Sequence, residues 1–500
     1  MGQVTAPSPV TPAPPADLPG TLGELRAAGH AYRTVKQELR ENLLARMRSG
    51  ADRFPGIVGY DDTVLPEVER ALLAGHDMVL LGERGQGKTR LIRSLVGLLD
   101  EWTPVIAGSV LNEHPLRPLT PGSRALVAEA GDDLPVAWLH RSMRYGEKLA
   151  TPDTSVGDLI GDVDPIRIAQ GRTLGDPETI HFGLVPRTNR GIFAVNELPD
   201  LAERIQVALL NVLEERDIQV RGYQLRLPLD LFLVASANPE DYTNRGRIIT
   251  PLKDRFGAEV RTHYPVDLDL ELALVRQEAD LVAEVPEHVL EVLTRFARAV
   301  RESPSVDPRS GVSARFAIAA AETVAAAALR RAGLLAAAEP LGRAPSTSEC
   351  DKKVPFLTPE AAVARVGDAV SVTSTLRGKV EFESGEEGRE AEVLGHLLRT
   401  ATAETFRARL AGLDLSGFTA LVDEDAVIET GELVGSAELL RQVGTVPGLA
   451  KALDRLGLGD APTPEQAAAG VEFVLEGLHL TRRLGKDVTD SGRTRYGGRV

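Results

Sequence analysis

Cysteine is nearly absent from this 500-residue chain. Cys350 stands alone, so neither a disulfide framework nor a multi-cysteine metal site can form within the chain, and a reducing cytoplasm is the natural compartment. His114, His140 and His181 share no ligand spacing with one another or with Cys350, and no structural zinc is expected. Aromatic residues amount to 4%, and no sustained basic stretch carries interleaved aromatics of the kind that binds nucleic acid. Positive charge is in deficit, with 57 Lys and Arg against 72 Asp and Glu and a formal net charge of −15. This argues against bulk electrostatic binding to nucleic acid or anionic membrane. Long hydrophobic runs are missing too. The alanine-rich stretch 316–329 is short, interrupted by Glu322 and closed by Arg330 and Arg331, which reads as a buried helix and not a membrane span. Residues 1–20 hold Pro and Ala without a basic start or an unbroken apolar stretch, so a disordered leader is expected and not a secretory signal.

The hydrophobic fraction of 43% supports well-packed cores, and at usual domain sizes the length predicts about three units. Residues 21–47 carry apolar positions at helical spacing (Leu22, Leu25, Ala28, Tyr32, Val35, Leu39, Leu43) and predict one amphipathic helix. From residue 54 to about 265, apolar runs at 78–81, 136–139, 191–195 and 231–235 alternate with helical patterns. That alternation predicts an α/β fold with a mostly parallel sheet covered by helices on both faces. Beyond residue 266 helical periodicity dominates, over 268–300, 314–332, 360–366, 389–410, 437–456 and 464–483.

The strongest local signal is Gly82-Glu83-Arg84-Gly85-Gln86-Gly87-Lys88-Thr89, a full G-x-x-x-x-G-K-T loop. The apolar run 78–81 precedes it and a helical pattern opening at Arg90 follows, which is the strand–loop–helix context the motif requires. Gly82, Gly85 and Gly87 let successive backbone N–H groups turn inward toward a polyphosphate. Lys88 can reach the β- and γ-phosphates of ATP, and the Thr89 hydroxyl can ligate Mg2+.

Hydrolysis also needs a base that polarises water and a sensor of the γ-phosphate. The segment 190–200 is an apolar strand ending in Asn196 and Glu197. Glu197 is the candidate base, with a helix cap before the following segment as its alternative. The strand at 231–238 ends in Asn238, which can hydrogen-bond phosphate or water, although Asn-Pro is also a turn signal.

Together, Ile57-Val58-Gly59, residues 82–89, 182–197, Ala237-Asn238-Pro239 and Leu252-Lys253-Asp254-Arg255-Phe256 resemble the AAA+ ATPases of the magnesium-chelatase I-subunit and MoxR group. The resemblance spans about residues 54–332. It implies ATP and Mg2+ as cofactors, a Walker A loop at 82–89 with Ile57, Val58 and Arg90 beside the nucleotide, Glu197 as the Walker B glutamate and Asn238 as sensor 1. It also implies Arg255 as an arginine finger reaching a neighbouring subunit, and Arg315 as sensor 2 on a helical lid. On the residues alone, Arg255 can equally be a surface partner of Asp254. Asn196 stands where the group usually has Asp, removing a negative charge beside the metal, so weakened magnesium binding is expected. The implied division is a leader over 1–20, an N-terminal helix within 21–53, the nucleotide-binding α/β domain over 54–265 and a lid over 266–338. A linker over 339–358, a helical C-terminal region over 359–486 and a flexible tail over 487–500 complete it.

The expected function is a homo-oligomeric ring, a hexamer by the resemblance, that uses ATP to remodel or activate a partner carrying a von Willebrand A-type domain. Three alternatives stand beside it: a sigma-54-type activator ATPase, whose characteristic loop is not found, a DNA helicase of the same clade, and a nucleotide-gated scaffold with slow hydrolysis. The alternating segment 217–227 predicts a hairpin; in the resembled group a hairpin at this place faces the ring or its partner, which implies Arg221 and Tyr223 as partner-contact candidates, with a plain exposed hairpin as the equal alternative.

Overall fold

The computed structural model describes residues 12–163, 180–214, 218–220, 223–225, 227–238, 246–307, 310, 312–338, 362–423, 427–489 and 493–497. Cys350, Arg221 and the 339–358 linker lie outside the described residues, as does the side chain of Tyr223. The chain divides into two compact units, Met1–His263 and Tyr264–Val500.

The first unit contains strands β1 (Met78–Leu81), β2 (Trp102–Ile106), β3 (Val136–His140), β4 (Tyr145–Leu149), β5 (Gly161–Val163), β6 (Ile180–Phe182), β7 (Gly191–Asn196), β8 (Ile218–Val220), β9 (Tyr223–Leu225), β10 (Leu231–Ala237) and β11 (Ala258–Arg261). Five of them build one sheet in the order β11-β1-β10-β7-β4, with every pairing parallel. Alternate residues along each strand face opposite layers. Met78, Leu80, Ile192, Ala194, Phe232 and Val234 pack with Val35, Leu39, Leu43, Leu91 and Ile92. Val79, Leu81, Phe193, Val195, Leu233 and Ala235 pack with Ile205, Leu209 and Leu252. Helices therefore cover both faces, which is why the central strands are continuously apolar.

Two expectations for this unit change. Residues 136–139 do not enter the parallel sheet: β3 pairs antiparallel with β2 in a separate two-stranded ribbon. Its β-branched and aromatic character meets strand chemistry in either place, and only the long-range pairing distinguishes them. The single helix expected over 21–47 is two helices, Leu22–Ala27 and Val35–Ser49. Gly29 adopts a left-handed φ of 70° between them, and Thr34 restarts the second with a capping box to Gln37. The two helices serve different cores, since Leu22 and Leu25 pack with Ile106 and Leu134 whereas Val35, Leu39 and Leu43 pack on the sheet.

A buried ion pair ties the second helix to the edge of the sheet. Arg144 donates to both carboxylate oxygens of Glu38, at 2.6 and 2.7 Å, with both side chains almost wholly buried. Glu38 also accepts from the Asp100 amide at 2.6 Å. Removing the guanidinium would strand a carboxylate in the interior, so Arg144→Met is expected to destabilise this unit by about 3 kcal/mol in denaturant unfolding. A loss below about 1 kcal/mol would contradict the pair's structural role.

The second unit is mainly helical, with long helices at Leu268–Glu278, Glu287–Glu302, Ala314–Ala338, Glu390–Arg409 and Pro464–Leu480. Helices from 266–338 and from 359–486 share one apolar core that includes Val289, Phe296, Val324, Leu394, Phe418 and Phe473. Of the pattern at 360–366, the described residues 362–365 are not helical and Val366 opens a short 3-10 helix, Val366–Ala369. Val363 makes a parallel bridge to Glu284, and the buried Arg365 donates to Val434 O and Ser436 Oγ at 2.9 Å. The stretch 437–456 forms two helices, Ser436–Val443 and Leu449–Arg455, separated by Gly444 and Gly448 at positive φ. The expected tail is also corrected. β12 (Ile428–Gly431), β13 (Gly485–Val488) and β14 (Arg493–Gly497) form an antiparallel sheet with β14 in the centre, held by the buried Tyr496. Among the described residues no helix is long and apolar enough to cross a membrane.

Candidate nucleotide site

In an open parallel sheet the loops at the carboxyl ends of the strands form the natural ligand crevice. Here β10 lies between β1 and β7. The phosphate loop after β1, Asn238 after β10 and the Asn196–Glu197 end of β7 are consequently neighbours at the carboxyl ends of the three central strands.

The loop is anchored on both sides. The Gly82 amide donates to Ala237 O at 3.1 Å and the Thr262 amide to Leu81 O at 2.8 Å. Thr262 Oγ1 reaches Gln86 Oε1 at 2.8 Å, and the Tyr60 hydroxyl donates to Gln86 O and to His263 O. Burial pushes that phenol up to about 12, so it stays a donor across the working pH range. A Cβ on Gly82 would lie 1.9 Å from Thr262 Oγ1 and 2.2 Å from Gln86 Oε1, so only glycine fits there. Gly85 and Gly87 sit at φ 75° and 77°, the left-handed backbone that turns the loop. Lys88 Nζ bridges the loop by donating to the Gly82 and Glu83 carbonyls. Glu83 and Arg84 are exposed, and Thr89 is half-buried in the first turn of the helix Lys88–Ser94. In that turn Arg90 donates from Nε to Gly56 O at 3.0 Å, tying the segment that carries Ile57 and Val58 to the loop helix.

At the end of β7, Glu197 takes a left-handed conformation, φ 55° and ψ 48°, which costs a non-glycine residue about 1 kcal/mol or more. Its amide donates to Ser236 Oγ at 3.3 Å. It occupies the N-cap position of the short helix Leu198–Asp200 without a side-chain capping bond, so capping does not account for the residue. Ser236 Oγ in turn donates to Asn196 Oδ1 at 3.2 Å, and Asn196 Nδ2 donates to Glu147 Oε1 at 2.5 Å. Asn238 is 1% exposed at the end of β10.

Arg255 ends the helix Thr250–Arg255 with its side chain 47% exposed, paired with Glu214 at 2.6 Å and not with Asp254. Arg315 belongs to the second unit, exposed in the first turn of the helix Ala314–Ala338, its amide donating to Ser313 Oγ at 3.3 Å.

Sequence reasoning missed Glu147, Arg93, Ser236 and Thr262. Burial tends to raise the Glu147 carboxyl, but hydrogen bonds from Arg93 and Tyr145 outweigh it and hold the pKa below the usual carboxylate value. Nothing in Tyr-Gly-Glu-Lys-Leu marks it as the sheet edge beside a nucleotide loop.

The residues fit a nucleotide with magnesium. The glycine cradle leaves no room for a Cβ at its base, a lysine crosses its mouth, and a hydroxyl stands beside it for an ion that keeps most of its ligands as water and phosphate oxygens. A parallel sheet with a phosphate loop after β1 and a polar-ended strand, β10, between it and β7 is the arrangement of the AAA+ P-loop fold.

The chain matches no protein-family model. It is 29% identical over 232 residues to the chloroplastic magnesium-chelatase subunit ChlI-1 of Arabidopsis thaliana, covering 45% of this chain and 51% of that protein. It is 28% identical over 239 residues to the magnesium-chelatase subunit ChlI of a Nostoc species, covering 47% and 60%. It thus spans about half the length of the curated relatives it matches. A structure of the BchI–BchD complex of magnesium chelatase aligns at 24% identity with a TM-score of 0.34, over 57% of this chain and 88% of that one. Over about half of its length the chain is similar to magnesium-chelatase I subunits.

Proposed function

We propose that this protein is a ring-forming AAA+ motor, a hexamer in its working state, that couples ATP binding and hydrolysis to remodelling or activating a partner protein. The observation carrying this reading is the convergence of Lys88, Asn238 and Glu197 at adjacent strand ends β1, β10 and β7. The backbone of residues 82–87 binds the phosphates, Lys88 pairs with their charge, and Thr89 with the Asn196 end of β7 serves the magnesium side. Magnesium, when bound, neutralises charge between the β- and γ-phosphates. Glu197, turned out of the strand by its left-handed backbone, accepts a proton from the attacking water. Asn238 orients that water or the γ-phosphate. Ile57, Val58 and Arg90 border the base side of the nucleotide.

Arg255 serves the neighbouring subunit as a finger. Its exposure and its releasable pair with Glu214 support that assignment, since exposed ion pairs contribute about 0–1 kcal/mol. Arg315 is the sensor 2 arginine. The partner class is a protein with a von Willebrand A-type domain, by analogy with the resembled group.

The reading is tested by ATP turnover with magnesium or with chelator, alongside light scattering with and without ATP. Magnesium-dependent turnover with an ATP-induced ring is expected. Turnover absent at all protein concentrations, with a single-chain mass in ATP, would overturn it.

A further inference from the structure

Position 196 carries an amide where a strand-end carboxylate is expected beside the magnesium, yet a carboxylate stands next to it. Asn196 Nδ2 lies 2.5 Å from Glu147 Oε1. An ionised carboxylate only accepts hydrogen bonds, so the amide nitrogen must face Glu147 and the amide oxygen must face Ser236, whose hydroxyl donates to it at 3.2 Å. The amide is therefore held in one orientation between two strands.

Glu147 belongs to β4, whose residues pair with β7 so that Glu147 opposes Ala194 and Leu149 opposes Asn196. Residues two apart on a strand share a face. Glu147 and Asn196 thus project to the same side of the sheet as Ala194, the side on which Leu91 and Ile92 of the phosphate-loop helix pack. That helix also reaches the carboxylate. Arg93 donates to both Glu147 oxygens, at 2.9 and 3.1 Å, and lies four residues after Thr89, one turn along the same helix face. The Tyr145 hydroxyl completes the set at 3.0 Å.

We infer that Glu147 supplies the negative charge that position 196 lacks, acting on the magnesium side of the nucleotide through Asn196 as a positioning residue. The carboxylate stands one strand outward from position 196 and is bonded to it through the Asn196 amide. The same geometry explains why an amide belongs at 196. A carboxylate there would sit within hydrogen-bond distance of Glu147, and two like charges so close cannot both remain ionised without cost. The inference rests on the nucleotide reading above.

The test uses the full chain and a fluorescent non-hydrolysable ATP analogue, with dissociation constants measured in magnesium and in chelator. Their ratio is the magnesium enhancement, a quantity that loss of structure alone does not selectively change. Glu147→Gln is expected to lower the enhancement about tenfold, the scale of one charge-assisted hydrogen bond. Asn196→Asp alone is expected to give no gain over wild type. The double variant Glu147→Gln with Asn196→Asp, which restores one carboxylate and one amide in exchanged places, is expected to return the wild-type enhancement. It also carries the test should Glu147→Gln fail to fold.

Unchanged enhancement in Glu147→Gln, a gain in Asn196→Asp alone, or a double variant no better than Glu147→Gln would each overturn the inference and leave the nucleotide site standing. A wild-type chain that binds no analogue in either condition would overturn both.

Discussion

Lys88→Ala is expected to weaken ATP binding by about 10- to 100-fold and to reduce turnover to background. The range follows from removing charge-assisted hydrogen bonds worth roughly 1.5–3 kcal/mol from a phosphate cradle. Lys88 is 7% exposed and its ammonium bridges the loop carbonyls of Gly82 and Glu83, so its reach into the cradle is set by the loop itself. Fluorescent-nucleotide titration and phosphate release measure the two effects, and circular dichroism checks that the fold survives. A variant that binds ATP as the wild type does would remove Lys88 from the site.

The second large effect separates binding from chemistry. Glu197→Gln keeps the shape and hydrogen-bonding capacity of the side chain but removes the base, and general-base catalysis contributes roughly 10²–10⁴-fold. Turnover should fall by that factor while nucleotide affinity stays within about twofold of wild type, because no ground-state contact to phosphate is assigned to this carboxylate. The left-handed backbone at Glu197 makes the prediction sharper. A residue kept in a costly conformation by its surroundings points to a role at the site, and a glycine there would relieve the strain. Glu197→Gly should therefore retain the fold, shown by an undiminished melting temperature, and lose turnover as fully as Glu197→Gln. Wild-type turnover in both variants would assign the base elsewhere.

The central strands β1, β7 and β10 were legible because each is buried on both faces and reads as an unbroken apolar run. The glycine-lysine-threonine loop was legible because few other arrangements need three glycines and a lysine between a strand and a helix. The edge strands β4 and β11 escaped notice for the opposite reason. Tyr-Gly-Glu-Lys-Leu and Ala-Glu-Val-Arg expose one side to solvent and carry the charges edge strands use against mispairing, so their composition resembles a loop. The partner of Arg255, Glu214, is 41 residues away, and Glu147 is 49 residues from Asn196. Neither separation has a local periodicity that could reveal it. β14 reads as a charged tail, Arg-Thr-Arg-Tyr-Gly, and is ordered by Tyr496 packing into the helical core.

The most direct test of a site shared between subunits is to mix two inactive variants. Lys88→Ala retains Arg255 but cannot serve its own nucleotide, whereas Arg255→Ala retains its nucleotide site but offers no finger to its neighbour. If Arg255 acts across an interface, each variant alone is inactive, the mixture regains part of the wild-type turnover, and wild-type turnover per chain rises with protein concentration as rings form. A mixture as inactive as its components, with wild-type turnover per chain independent of concentration, would contradict the account.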